Sequence, residues 1–136
     1  EYTISVGRAK LEPLESIFAL KQSDAMGPDT LSVDLTQNKI TILAGANAFG
    51  VINGLRAAPA TRSAATAAVY LPAVMEALDQ LRAGLNSFED RRWLEPFRAR
   101  CNYLNIELDS GSGLFEDAQK LLNHPIVSLN SLLGTD

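Results

Sequence analysis

The fold of this chain is decided by residues 61–82, which read TRSAATAAVYLPAVMEALDQLR. As a helix, the first half of this stretch is apolar almost all round. The second half is amphipathic, with Glu76, Asp79 and Arg82 on its polar side. A helix that is apolar on every side has to be covered by other parts of the protein. We therefore predict that residues 61–82 form a central buried helix with a structural role.

Pro72 lies in the middle of this predicted helix. Proline has no backbone N–H, and its ring crowds the carbonyl group four residues earlier. We therefore expect either a kink near Ala68 or two abutting helices. The alanines before Pro72 permit close approach of another backbone, so residues 64–70 are the first place to look for a partner-facing surface.

A β-hairpin is predicted before the long helix. Residues 31–35 (LSVDL) and 39–43 (KITIL) alternate between apolar and polar side chains, and the turn-prone triplet TQN separates them. Because a two-stranded hairpin is not stable alone in water, it has to pack on another apolar surface. Two further elements are predicted nearer the start: a strand at residues 2–6, and a short helical turn containing Leu14, Ile17 and Phe18.

Helical patterns dominate the second half of the sequence. We predict a helix from Asn47, as its capping residue, to about Leu55, a last helix at residues 114–122 and a terminal turn at residues 127–133. One further helix is marked by an apolar face with spacings of three and four residues, formed by Trp93, Phe97, Cys101 and Leu104. A stretch that resembles a capping box, Ser87-Phe88-Glu89-Asp90, is predicted to start this helix, in which case Pro96 interrupts it. Alternatively, Pro96 lies near the first turn of a helix that begins later. Asn105 can end the helix in a left-handed conformation.

Together these patterns predict an α+β fold, in which a small antiparallel β-hairpin or sheet packs on a C-terminal helical bundle. The alternative is a nearly all-α domain with a hairpin appendage, which a strand count below three would favour. At 136 residues the chain fits one domain, residues 1–136, β-rich over 1–45 and helical over 46–136. Because it begins at Glu1 without an initiator methionine, we interpret it as a processed chain or a segment of a longer protein.

Charge and composition argue against several classes of function. The formal net charge of −4 and the isoelectric point near 5.0 give no general attraction to nucleic acid or to anionic membranes. The apolar run at residues 64–75 is too short to span a bilayer, which needs about 20 residues. The single cysteine excludes an internal disulfide, so we assign the protein to the cytoplasm and expect no membrane contact.

The basic side chains of this sequence cluster at four positions, Arg91, Arg92, Arg98 and Arg100. One interpretation is that these arginines contact an anionic partner, either nucleic acid or the acidic patch of a protein. The other interpretation is a solvated helix face, on which the arginines pair with neighbouring acids, namely Glu89, Asp90 and Glu95. The acidic balance of the whole chain favours the second interpretation.

The remaining residues that could act in catalysis or ligand binding match no specific sequence motif. A remote alternative is that Cys101 is a nucleophile, with His124 as its base and Asp109 to orient the base. The position of Cys101 on the apolar face of its predicted helix favours a core residue instead. The helix start after Gly45 would suit a phosphate, although a packing glycine is the favoured interpretation. Glu107, Asp109 and Glu116 could meet around a divalent cation, but their spacing matches no calcium loop. The favoured interpretation is that Glu116 and Asp117 stabilise the positive start of the last helix. We assign no catalytic, cofactor-binding or metal-binding residue.

These considerations favour a non-enzymatic interaction or structural module that belongs to a larger protein or assembly. A protein partner or self-association is expected, because a chain of this size does not easily cover both faces of the helix at residues 61–82. Binding of nucleic acid or an acidic partner through the arginine cluster is the first alternative. A Cys/His-dependent enzyme is the remote alternative.

Overall fold

Three short strands form one sheet: β1 (Phe18–Gln22), β2 (Leu31–Asp34) and β3 (Ile40–Ala44). The computed structural model in which they are seen describes residues 14–84, 88–109 and 113–133. β2 and β3 are the predicted antiparallel hairpin. β1 lies on the other side of β3 and runs parallel to it, so the strand order is β1-β3-β2. The predicted α+β class is therefore confirmed, but the sheet is mixed rather than purely antiparallel.

β1 is a strand that the sequence pattern did not predict. The predicted helical turn is present as a 3-10 helix at Leu14–Ile17, but Phe18 begins the strand instead of ending the turn. The residues of β1 include alanine, lysine and glutamine, which have little intrinsic preference for a strand. Pairing with β3, from Phe18 opposite Ile40 to Gln22 opposite Ala44, stabilises β1. The strand predicted at residues 2–6 lies outside the described residues.

Helices form most of the remaining chain. Their bounds are α1 (Ala46–Arg56), α2 (Pro59–Ala65), a π-helix (Thr66–Tyr70), α3 (Leu71–Arg82), α4 (Leu94–Tyr103), α5 (Leu114–Leu121), α6 (Pro125–Ser128) and a 3-10 helix (Leu129–Leu133). The predicted helices are present, but α4 begins at Leu94 and residues 88–90 form a turn, so the predicted start at the capping box is wrong. Pro96 therefore lies in the first turn of α4, as in the alternative prediction, and Asn105 is left-handed after its end, at φ 60°. The predicted cap of α1 is wrong, because Gly45 precedes the helix and Asn47 lies inside it.

The predicted central helix is α2, the π-helix and α3 in succession. The predicted disturbance near Ala68 is present as a widened turn at Thr66–Tyr70, directly before the helix that contains Pro72, and the helical run continues without a gap from Pro59 to Arg82. The Leu71 N–H donates to the carbonyl of Thr66, five residues earlier rather than four. The wider turn accommodates a residue that has no N–H and needs space for its ring.

Burial along this helix differs from the sequence prediction. α3 supplies the fully buried side chains Ala73, Val74, Ala77 and Leu78, whereas Ala68 in the apolar first half is exposed. Arg82 was expected on the polar side of the helix, but its side chain is only 5% exposed. The second half of the helix is therefore the more deeply buried half.

A single cluster of buried side chains joins the sheet to the helices. Ile40 and Ile42 of β3 belong to it, as do residues from α1, the π-helix, α3, α4 and α5. Trp93 fixes the hairpin to the helical half, because its buried Nε1 donates to the Leu35 carbonyl at 2.9 Å. Its ring also contacts those of Phe88 and Phe97, each at 5.7 Å between centroids. The sheet thus packs on the helices as predicted.

Candidate functional site

The corner between α1 and α2 places two arginines near each other. α1 ends at Arg56, and Pro59 starts α2, a position at which the missing N–H costs no helical hydrogen bond. The Thr61 hydroxyl donates to the Leu55 carbonyl at 2.6 Å, and Arg62 Nε donates to the Arg56 carbonyl at 3.3 Å. These bonds satisfy carbonyl groups at the C-terminal end of α1 and so fix the angle of the corner.

A groove of about 540 Å³ lies between this corner and β1, and we call it the corner groove. One wall is apolar and consists of Phe18 and Leu20, with the ring of Tyr70 at 4.8 Å from that of Phe18. The polar lining comes from the two helices and the π-helix: Asn53, Arg56, Arg62 and Thr66. Across residues 14–84, 88–109 and 113–133, the ion pairs involve Arg82, Arg98 and Lys120. No described carboxylate therefore neutralises the two arginines of the corner groove.

The four arginines singled out from the sequence do not line one common cavity. Arg98 pairs with Glu89 at 3.2 Å and lines a cavity of about 460 Å³ beside Asn102. Arg92 lines a different cavity of about 270 Å³ with Lys39, and Arg100 is half-buried on α4. The pairing of Arg98 with Glu89 is one of those expected for a solvated face.

Arg91, the remaining member of the cluster, lies beside the hairpin. Its Nε is buried and has no hydrogen-bond partner in the part of the chain that the structure describes. Hydrogen bonds from Thr36 and Gln37 lower the pKa of the Asp34 carboxyl, and the positive charge of Arg91 lowers it further. The Arg91 charge is therefore engaged with the turn between β2 and β3.

Cys101 and His124 are not arranged as a nucleophile and base. Cys101 is fully buried on the inner face of α4, and this burial raises the pKa of its thiol to about 12. His124 is exposed, adopts φ 53° before α6, and donates its backbone N–H to the Gln119 carbonyl at 2.7 Å. Because the thiolate is the reactive form of cysteine, this environment is that of an inert core residue.

Arg82 contacts both segments that carry the candidate cation ligands Glu107, Asp109 and Glu116. Its guanidinium donates to the Glu107 carbonyl through Nε at 3.0 Å and Nη2 at 2.8 Å, and to the Asp117 carboxylate at 2.5 Å. Glu116 and Asp117 occupy the first turn of α5, the position that the helix dipole favours. The described ranges contain no group of three or more His, Cys, Asp or Glu side chains placed to hold a metal ion.

The start of α1 is covered by the loop that connects β1 to β2. The Ala48 N–H donates to the Pro28 carbonyl at 2.9 Å, and Asn47 Nδ2 donates to Asp29 Oδ1 at 2.7 Å. A Cβ at Gly45 would clash with the Gly27 carbonyl oxygen and lie 2.7 Å from backbone carbons of Pro28. The glycine thus serves close packing of this loop, and the loop takes up an N–H group that a phosphate would need.

An exposed apolar surface is formed near the end of the described chain, and we call it the C-terminal patch. Its members are Ile126 (65% exposed), Val127 (70%), Leu132 (47%) and Leu133 (71%). The segment that carries them packs on α2, with Pro125 buried and the Ser131 hydroxyl donating to the Ala60 carbonyl at 3.2 Å. One side of the segment is therefore attached to the fold while the other presents aliphatic side chains to water.

No protein family model matches this chain, and no curated protein or solved structure is significantly similar to it. Among the helices of the described residues, none is both long enough and apolar enough to cross a membrane.

Proposed function

We propose that this chain is a non-enzymatic interaction module, and that it associates with a second copy of itself through the C-terminal patch. The observation that carries the proposal is the exposure of Ile126, Val127, Leu132 and Leu133 within eight consecutive residues. Contiguous apolar surface of this kind is a frequent mark of protein–protein contact sites.

Charge supports a second copy as the partner. Residues 125–133 read PIVSLNSLL and carry no charged side chain. Two identical charged surfaces repel each other, but two uncharged apolar surfaces related by a two-fold axis do not. Removal of the aliphatic side chains from water on both copies then favours association.

A cytoplasmic location is also part of this proposal. Its support is the presence of one cysteine in the sequence, and the burial of that cysteine in the core. A fold that contains no internal disulfide suits a reducing compartment.

Light scattering coupled to size-exclusion chromatography, over a range of protein concentrations, tests the self-association. We expect a concentration-dependent dimer for the native sequence and a shift to monomer for the double variant Val127→Ser/Leu133→Ser. Val51→Ser is the matched control, because Val51 is 54% exposed but lies on α1. A native chain that stays monomeric at millimolar concentration would contradict the proposal, as would equal effects of the double variant and the control.

A further inference from the structure

We propose that the corner groove is a binding site for a small organic anion, that is, a carboxylate or phosphate attached to an apolar group. This inference concerns a different surface from the C-terminal patch and does not depend on self-association. It rests on the convergence of an apolar wall, polar side chains and two arginines that form no ion pair with any described residue, all on one concave surface.

The charge of the corner groove selects an anion. Arg56 is exposed, and within the described ranges its side chain takes part in none of the hydrogen bonds or ion pairs. Arg62 is held by its Nε on the Arg56 carbonyl, and its two terminal amino groups bond to no residue within 14–84, 88–109 and 113–133, so they can serve a ligand. A guanidinium group binds carboxylate and phosphate oxygens through two parallel N–H bonds, so two such groups in one groove favour an oxyanion.

The apolar wall indicates that the anion carries an organic part. Phe18 and Leu20 line the same groove as the arginines, and both belong to β1. A volume of about 540 Å³ is suited to a small molecule rather than to an inorganic ion alone. Binding sites for small molecules usually combine such apolar walls with a few polar groups that fix orientation.

Two further features place the charged end of the ligand near Arg62. Arg62 and Thr66 also line an adjoining cavity of about 290 Å³, whose other polar residues include Ser63, Asn123 and Ser128. Thr66 is the first residue of the π-helix, and π-turns within α-helices are frequent at functional sites. The polar surface is thus continuous around Arg62, while the apolar surface lies on the β1 side.

Phenyl phosphate is the probe that tests this assignment, since it joins an oxyanion to a flat apolar ring. We expect saturable binding in a titration followed by ¹H–¹⁵N NMR at low salt, with shifts that include the amides of Ala57 and Thr66. Inorganic phosphate has the oxyanion without the ring, and phenol has the ring without the oxyanion. Each is expected to bind at least about tenfold more weakly than phenyl phosphate.

Arg56→Gln is the decisive variant, because it removes one charge from an exposed side chain that takes part in none of the hydrogen bonds or ion pairs among the described residues. We expect it to weaken phenyl phosphate binding about tenfold while the thermal unfolding midpoint stays unchanged. Arg92→Gln is the matched control, since it removes the same charge from a different cavity. Three results would overturn the proposal: no saturation at 10 mM probe (about −2.7 kcal/mol), equal loss in the two variants, or inorganic phosphate binding as tightly as phenyl phosphate.

Discussion

Cys101 shows how a position on a helix decides the chemistry of a side chain. The apolar spacing of Trp93, Phe97 and Cys101 predicts that the thiol faces the core, and the structure buries all three side chains completely or nearly so. Burial penalises the thiolate far more than the neutral thiol, so the pKa rises to about 12. The group then behaves as a small apolar side chain rather than as a nucleophile.

Cys101 is therefore expected to be unreactive in the native protein. At pH 8, four pH units below its pKa, roughly one thiol in ten thousand is ionised, and the core shields that fraction from reagent. Labelling with a chromogenic disulfide reagent should be slow in native buffer and should accelerate with added urea as the protein opens. Complete labelling within minutes, with the circular dichroism spectrum unchanged, would contradict the core assignment.

Trp93 combines two roles that the sequence suggests only in part. Its apolar spacing predicts the burial of the indole, but not the bond from Nε1 to the Leu35 carbonyl. That carbonyl follows directly after β2, where the hairpin chain turns. A buried indole N–H usually finds a partner, and here the partner belongs to a distant part of the chain.

At the scale of elements, the start of α1 depends on a loop rather than on a capping side chain. The sequence offers Asn47 as a cap, but the structure starts the helix one residue earlier and uses Asn47 to hold Asp29. The backbone of Gly27 and Pro28 approaches Gly45 too closely for any side chain at that position. This close approach of the Gly27 and Pro28 backbone is the contact that supports the interpretation of Gly45 as a packing glycine.

Two glycine substitutions near this helix start are expected to have opposite effects. Gly45→Ala should lower the free energy of unfolding by several kcal/mol, because the clash is with backbone that cannot move without losing the Ala48 and Gly45 hydrogen bonds. Gly50→Ala should raise it by roughly 0.5–1 kcal/mol, because a Cβ there meets open space within a helix. Urea denaturation of the two variants measures both changes, and a neutral Gly45→Ala would refute the close-packing role.

The π-helix is the response of a long helix to an internal proline. The sequence predicts a disturbance at Pro72 but does not predict its form, since a kink, a break and a wide turn all relieve the same clash. In the structure the wide turn joins α2, which packs on the C-terminal segment, to α3, which packs on α5 and β3. Local chemistry thus predicts where the disturbance lies, whereas its form is seen only in the structure.

At the scale of the molecule, Arg82 holds together three segments that are distant in the sequence. It lies at the end of α3, and its guanidinium bonds the Glu107 carbonyl after α4 and the Asp117 carboxylate on α5. The side chains of Arg82 and Asp117 are only 5% and 17% exposed. This ion pair is therefore shielded from water, unlike the exposed pair of Arg98 and Glu89.

Arg82→Gln is expected to lower the free energy of unfolding by roughly 2–4 kcal/mol, because it leaves the shielded Asp117 carboxylate with only the longer, more exposed ion pair to Lys120, at 3.8 Å. Arg98→Gln is the control, and its expected cost is below about 1 kcal/mol because both partners are largely exposed. Urea denaturation gives both values. Equal costs for the two variants would show that Arg82 has no special structural role.

The candidate site could not be predicted from the sequence in the way that the fold class could. In the sequence, Ala57, Ala58 and Pro59 mark a helix boundary between Arg56 and Arg62. Only the angle between α1 and α2 brings both arginines to one groove. The apolar wall of that groove belongs to β1, which carries no strand pattern. Four other arginines are close in the sequence, but the structure distributes them over different cavities and partners: Arg91, Arg92, Arg98 and Arg100.

The sequence by itself determined the β2–β3 hairpin, the apolar face of α4, the disturbance at Pro72 and the left-handed residue after α4. These features follow from turn chemistry, side-chain periodicity and backbone sterics, which act over a few neighbouring residues. Only the tertiary structure decided the strand state of β1, the mixed sheet, the burial of Arg82 and the formation of the corner groove. Parallel pairing, shielding of charge and convergence of side chains require partners from distant segments, and no local pattern specifies those partners.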